Sequence, residues 1–122
     1  MSKILIVDDE VKATELLKRF LEAKGYDVII ANSGENALEK VKSEKPNVML
    51  LDIRMPGTDG KEVLKRVREF DKDVGIIMVT AVKEEDVGKE ALKLGADEYI
   101  TKPIDFNYLE TSILVGLTMR YK

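Results

Sequence analysis

The sequence predicts a doubly wound α/β fold, in which helices cover both faces of a parallel sheet. Short apolar runs alternate with helical patterns along the 122 residues, and five such pairs follow one another. The runs are apolar at every position, which is typical of strands that are buried on both faces. Alternating strands and helices indicate a parallel sheet, and five units are too few to close an eightfold barrel. The length suits one domain, to which we assign residues 1–122.

Each predicted strand is rich in β-branched or long apolar residues and stops at or just before a polar residue. The first run stops at Asp8, the third at Asp52 and the fourth at Thr80. The fifth run is weaker and stops before Lys102. The predicted strands cover residues 4–7, 28–31, 48–51, 76–79 and 99–100.

The segments between the strands carry apolar residues at helical spacing and capping residues at their ends. Ser33, Asp59 and Asp105 stand where a side-chain oxygen can cap the second, third and fifth helices. Gly25 and Gly95 are placed to end the first and fourth helices. The predicted apolar positions are Ala13, Leu16, Leu17, Phe20 and Leu21 in the first helix, and Phe106, Leu109, Ile113, Leu114 and Leu117 in the fifth.

The composition excludes several classes of site. The chain has no cysteine and no histidine, which rules out disulfides, zinc–thiolate sites, iron–sulfur clusters and nucleophile–histidine triads. Its 20 basic and 23 acidic residues give a net charge of −3, which predicts no direct binding of nucleic acid. No apolar run approaches the roughly 18 residues of a membrane span, and the N-terminus does not resemble a signal peptide. We therefore expect a cytoplasmic protein without a membrane contact.

Polar residues follow four of the predicted strands. Asp8 and Asp9 follow the first, Asp52 the third, Thr80 the fourth and Lys102 the fifth. Because the carboxyl ends of parallel strands lie at one edge of the sheet, where ligands bind, we expect these side chains to meet there. The edge then holds three carboxylates, one hydroxyl and one ammonium group.

Clustered carboxylates without imidazole favour a hard divalent cation, Mg²⁺ first and Mn²⁺ as a substitute. A direct phosphate or dinucleotide site is disfavoured, because the carboxylates repel anions and no glycine-rich fingerprint follows the first strand. With a cation in place, an aspartate can attack phosphorus and form an aspartyl phosphate. The metal and a lysine would neutralise charge on the transferring group.

Four segments resemble the motifs of receiver domains from bacterial two-component response regulators. They cover residues 4–10, 50–60, 79–81 and 99–103, each at a strand end, and the resemblance extends over essentially the whole chain. It implies a (βα)₅ flavodoxin-like fold with a five-stranded parallel sheet in the strand order 2-1-3-4-5.

The resemblance also implies an acceptor and its metal ligands. Asp52 matches the phosphoacceptor of the family and is itself a metal ligand. Asp9 matches a direct Mg²⁺ ligand, and Asp8 matches an acid that acts largely through water. The backbone carbonyl of Arg54 matches a further ligand.

A second group of residues matches the family's switch. Thr80 corresponds to the hydroxyl that moves onto the phosphoryl group, and Lys102 to the lysine that pairs with that group. Tyr99 corresponds to the aromatic residue that turns inward on activation. The bond between Lys102 and Pro103 is cis in the family.

The function that the resemblance implies is that of a switch. A histidine kinase or a histidine phosphotransfer protein donates the phosphoryl group. The surface of helix 4, strand 5 and helix 5 then signals to a downstream protein, with phosphorylation-dependent dimerisation as an option. The phosphoryl group is lost slowly by self-catalysis, so we expect no turnover enzyme. The positions of Arg54 and Val82 line the approach to the phosphoryl group in this family. A long cation beside an apolar residue predicts slow loss of the phosphoryl group.

Two other functions stay open. A pseudo-receiver would bind proteins without ever being phosphorylated. A phosphatase of the haloacid type also uses an aspartate nucleophile, but it needs a second acid two residues later, where this chain has Arg54.

Overall fold

In the described part of the chain, the five strands of the main sheet alternate with five helices. The computed structural model describes residues 2–55 and 57–120, apart from the side chains of residues 58, 82, 119 and 120. The strands are β1 (Lys3–Val7), β2 (Asp27–Ala31), β3 (Val48–Asp52), β4 (Gly75–Thr80) and β5 (Glu98–Thr101). The helices are α1 (Val11–Ala23), α2 (Gly34–Glu44), α3 (Gly60–Phe70), α4 (Glu85–Lys93) and α5 (Phe106–Arg120). No helix in the described part of the chain is long and apolar enough to cross a membrane.

The five strands form one parallel sheet in the order β2-β1-β3-β4-β5. This confirms the predicted flavodoxin-like order. The order reverses between β1 and β3, and the crevice at such a reversal is where doubly wound sheets bind ligands. A short antiparallel hairpin, which the sequence did not predict, pairs Arg54–Met55 with Thr58–Asp59 between β3 and α3. Two loops therefore flank the crevice, the one after β1 and the hairpin after β3.

Each face of the sheet has its own core, because successive strand residues point to opposite sides. Ile4 and Ile6 of β1 pack with α1 and α5, whereas Leu5 and Val7 pack with α2, α3 and α4. Burying one such side chain contributes about 1.5–3 kcal/mol, so the sheet is fixed from both sides. This double burial explains why the strand sequences are apolar throughout.

The predicted caps are present. Ser33, Asp59 and Asp105 each accept hydrogen bonds from backbone amides in the first turn of their helix. Gly25 and Gly95 end α1 and α4 with φ angles of 95° and 116°, a conformation that residues with a side chain rarely adopt. The helix boundaries are thus encoded locally.

Two leucines predicted to face the core are exposed instead. Leu16 of α1 is 61% exposed and Leu114 of α5 is 52% exposed. Each neighbours a residue that is buried, Leu17 and Ile113 respectively. Consecutive helical residues are about 100° apart, and a helix on one face of a sheet buries only a narrow stripe.

Gly60 opens α3 against the end of β3 and has no room for a side chain. An added Cβ would lie 2.5 Å from the carbonyl oxygen of Asp52 and 2.7 Å from the Cα of Ile53. Because both are backbone atoms, Gly60→Ala should lower the free energy of unfolding by about 1–3 kcal/mol.

The matched control is Gly116→Ala in α5, where an added Cβ meets no described atom within 4 Å. It should raise the free energy of unfolding by up to about 1 kcal/mol, because alanine favours helix more than glycine does. Urea unfolding of both variants measures these changes. Wild-type stability in Gly60→Ala would contradict the close approach.

Candidate functional site

The carboxyl edge of the sheet brings three aspartates together. Asp8 and Asp9 follow β1 directly, and Asp52 is the last residue of the neighbouring strand β3. One oxygen from each carboxylate lies within 4.8 Å of the others. The predicted acidic cluster therefore exists, and its spacing fits one cation with hard oxygen ligands.

The carboxylate of Asp52 is buried and held at both oxygens. The residue is only 6% exposed. Its Oδ2 accepts a hydrogen bond of 2.9 Å from Nζ of Lys102, and its Oδ1 accepts one of 3.1 Å from the backbone amide of Arg54. The two hydrogen bonds fix the orientation of the carboxylate at the edge of the sheet.

Lys102 reaches this carboxylate from the loop after β5. Burial lowers the pKa of its ammonium group, but the hydrogen bond to Asp52 and the charges of Asp52, Asp8 and Glu10 outweigh burial and raise the pKa. The group is therefore a fixed positive charge at neutral pH. The Lys102–Pro103 peptide bond, which the resemblance predicts to be cis, is cis.

Asp8 and Asp9 differ in their surroundings. Asp8 is half-buried, and its Oδ1 accepts a 3.0 Å hydrogen bond from the backbone amide of Glu10. Burial raises the pKa of Asp8 and the charge of Asp52 adds to this, which exceeds the lowering by the Glu10 amide and by Lys102. Asp9 is exposed. The cluster thus carries a charge penalty that a bound cation would relieve.

Thr80 ends β4 and is 2% exposed. Its hydroxyl donates toward the carbonyl oxygens of Ala81 and Glu84, at 3.3 Å and 3.2 Å. Ala81 directly precedes, and Glu84 ends, a 3₁₀ turn over Val82–Glu84 that leads into α4. The hydroxyl is therefore engaged with this turn, and the hydrogen bonds of the described residues include none between Thr80 and Asp52.

Tyr99 lies half-buried on β5, next to Met78 of β4 in the sheet. Its ring covers Gly88 of α4, where an added Cβ would lie 2.7 Å from two ring carbons. Only glycine fits under the ring in this position. Tyr99 thus connects β5 to the helix that follows Thr80.

One contact at the site was missed by the sequence analysis. The side chain of Arg54 forms an ion pair with Glu84, although 30 residues separate them. The sequence placed this arginine over the approach to Asp52 together with Val82, whose side chain lies outside the described residues. A pair this distant in sequence leaves no pattern, so only the fold could find it.

Replacing Asp8 by Asn removes one negative charge and keeps an oxygen for the Glu10 amide. Because burial and the charge of Asp52 raise the pKa of Asp8, its ionised form destabilises the fold. Asp8→Asn should therefore raise the free energy of unfolding at pH 7 by up to about 1 kcal/mol without divalent cations, after allowing for solvent screening.

The stability gain from Asp8→Asn should depend on pH. A raised pKa in the folded state means that the wild type loses stability as pH rises through it. The gain from Asp8→Asn should thus shrink as pH falls and Asp8 becomes protonated in the wild type. Urea unfolding across pH measures the gain, with exposed Asp9→Asn as control. A variant less stable than the wild type at pH 7 would be incompatible with this charge balance.

Known proteins share this fold and resemble this chain in sequence. The family model of the response regulator receiver domain matches residues 4–114. The crystal structure of a two-component response regulator from Clostridium difficile is similar, with a TM-score of 0.93 and 30% identity over 100% of both chains. A CheY-like response regulator receiver domain protein from Methanospirillum hungatei JF-1 also has a TM-score of 0.93, at 33% identity over 98% of this chain and 96% of that one.

The curated relatives are longer. The alkaline phosphatase synthesis transcriptional regulatory protein PhoP of Bacillus subtilis (strain 168) is 48% identical over 101 residues, which are 83% of this chain and 42% of that protein. The transcriptional regulatory protein ZraR of Klebsiella oxytoca is 40% identical over 114 residues, 93% of this chain and 26% of that protein. This chain thus spans less than half the length of either relative. By its match over residues 4–114, the chain belongs to the response regulator receiver domain family.

Proposed function

We propose that this domain accepts a phosphoryl group on Asp52 from a histidine kinase or a histidine phosphotransfer protein and acts as a switch. The observation that carries the proposal is the buried Asp52 carboxylate, bonded to Lys102 and flanked by Asp8 and Asp9. A buried carboxylate, a positive charge and two further carboxylates thus lie at one edge of the sheet, as the proposed transfer requires. Family membership supports a signalling role.

The acidic cluster fits Mg²⁺, with Mn²⁺ as a substitute. Asp9 and Asp52 would bind the ion directly, Asp8 would bind it largely through water, and the backbone carbonyl of Arg54 would complete the protein ligands. When bound, the ion supplies positive charge for the oxygens of the incoming phosphoryl group. The raised pKa of Asp8, caused first by burial and further by the charge of Asp52, supports this assignment, because a cation would offset both effects.

The transfer itself needs a carboxylate and charge neutralisation. An oxygen of Asp52 forms a bond to phosphorus while the bond between phosphorus and the donor's imidazole nitrogen breaks, and the imidazole keeps the electron pair. Lys102, already 2.9 Å from Asp52, stabilises the charge that develops on a phosphoryl oxygen. The chain has no histidine, so it cannot pass the group to an imidazole of its own.

The switch depends on contacts that only the phosphorylated form makes. The hydroxyl of Thr80 leaves the carbonyl of Glu84 and donates to the phosphoryl group. Tyr99, which packs on Gly88 of α4, follows this movement inward. The surface of α4, β5 and α5 changes in consequence and is read by a downstream protein. The shift can be no larger than the difference in contact free energy between the two states.

The curated relatives are longer than this domain, and their names describe whole proteins. Both are named as transcriptional regulatory proteins. The predicted lack of nucleic-acid contact therefore concerns this domain alone and does not extend to longer regulators of this kind. The cytoplasmic location, the dimer and the absence of steady turnover stay predictions.

Phosphorylation can be measured directly by intact mass after incubation with acetyl phosphate or phosphoramidate. The wild type should gain one phosphoryl group with Mg²⁺ and none without it, because the carboxylates repel an anion until a cation binds. Asp52→Asn should gain none. Asp105→Asn, which keeps an oxygen for the N-cap and lies outside the acidic cluster, should behave as wild type.

The two alternative functions, a pseudo-receiver and a phosphatase of the haloacid type, are outcomes of the same experiment. No gain with any donor would favour a pseudo-receiver that only binds proteins. Continuous hydrolysis of a phosphomonoester would favour a phosphatase of the haloacid type. A gain that persists in Asp52→Asn would place the acceptor elsewhere.

The lifetime of the phosphoryl group on Asp52 tests whether the side chain of Arg54 shields it from water. This long cation stands two residues after Asp52 and can shield the phosphoryl group from water. Arg54→Ala should shorten the half-life about two- to fivefold, the size expected for one exposed charge. Decay of the intact-mass signal after donor removal measures it. An unchanged half-life would remove the shielding argument.

A further inference from the structure

Glu84 is the residue on which two groups of the site converge. Its side chain accepts a hydrogen bond from Nε of Arg54, two residues after Asp52. Its backbone carbonyl accepts the hydroxyl of Thr80 at 3.2 Å. One residue thus holds both a cation and a hydroxyl that the proposed function directs toward the phosphoryl group.

The burial of this ion pair is uneven. The side chain of Glu84 is 16% exposed, whereas that of Arg54 is 74% exposed. A mostly buried carboxylate lowers stability unless a cation or donors compensate it. Arg54 supplies that compensation, so the position of Glu84 depends on the arginine.

Helix capping does not explain where the carboxylate of Glu84 lies. Glu84 is the N-cap residue of α4, yet in the described structure its side chain makes no capping hydrogen bond. Its backbone amide closes the turn by donating to the carbonyl of Ala81 at 2.9 Å. The backbone of Glu84 therefore shapes the turn, while its side chain is directed across to Arg54.

We propose that Glu84 is a positioning residue that opposes the switch. Its carboxylate holds Arg54, and its carbonyl holds Thr80, in the arrangement of the unphosphorylated domain. Both contacts must be given up before either group can reach a phosphoryl group on Asp52. This inference rests on the proposed function and adds a resting-state latch to it.

The latch predicts a gain of function when it is removed. Glu84→Gln keeps the size of the side chain and the backbone carbonyl but loses the charge that holds Arg54. Less contact free energy is then lost on switching, so phosphoryl mimics should bind more tightly. The expected gain in affinity is about threefold, which is typical of one partly exposed ion pair.

The test is calorimetric titration of the full chain with beryllofluoride, a mimic of the phosphoryl group, at saturating Mg²⁺. Glu84→Gln should bind about threefold more tightly than wild type, and in an Arg54→Ala background the same change should alter affinity less than about 1.5-fold. The control is Glu85→Gln, at the exposed acidic residue next to Glu84, and its affinity for beryllofluoride should equal that of the wild type. Urea unfolding of each variant shows that it is folded.

Each outcome separates the latch from the proposed function. If the wild type fails to bind beryllofluoride, the proposed function is refuted. If it binds and Glu84→Gln equals Glu85→Gln, only the latch is refuted. An equal gain with and without Arg54 would also overturn the latch, because the effect would not pass through the ion pair.

Discussion

The burial of one carboxylate, that of Asp52, is the constraint on which the site depends. A buried charge without partners would cost several kcal/mol, so the fold has to bring compensating groups to it. Lys102 and the amide of Arg54 are those groups in the described structure. Together they fix the orientation of the side chain. Burial and the charge of Asp52 raise the pKa of Asp8, an unfavourable balance that a bound cation would relieve.

The topology of the sheet brings these groups together. Because β1 and β3 are neighbours and parallel, residues that follow them meet at the reversal of strand order. β4 and β5 lie beyond β3 and carry Thr80 and Lys102 to the same edge. The two cores on either side of the sheet hold the strand ends in place, and packing thus fixes the geometry of a polar site that could not hold itself together.

Much of this could be predicted from the sequence, because the determinants are local. Apolar runs define the strands, capping side chains and glycines define the helix ends, and parallel order then brings the polar residues to one edge. Contacts that depend on the conformation of the loops could not be predicted. The pairing of Arg54 with Glu84 and the hairpin after β3 depend on loop conformation, and the exposure of Leu16 depends on how narrow the contact of α1 with the sheet is.

The central claim is that the acidic cluster, Lys102 and the phosphoryl group form a single charge-balanced unit. The most direct test is the coupling between two ligands, Mg²⁺ and beryllofluoride, measured by calorimetry, which suits a chain without tryptophan. Each ligand should raise the affinity of the other by the same factor, of about tenfold or more. Independent binding of the two, with a coupling factor near one, would contradict the account.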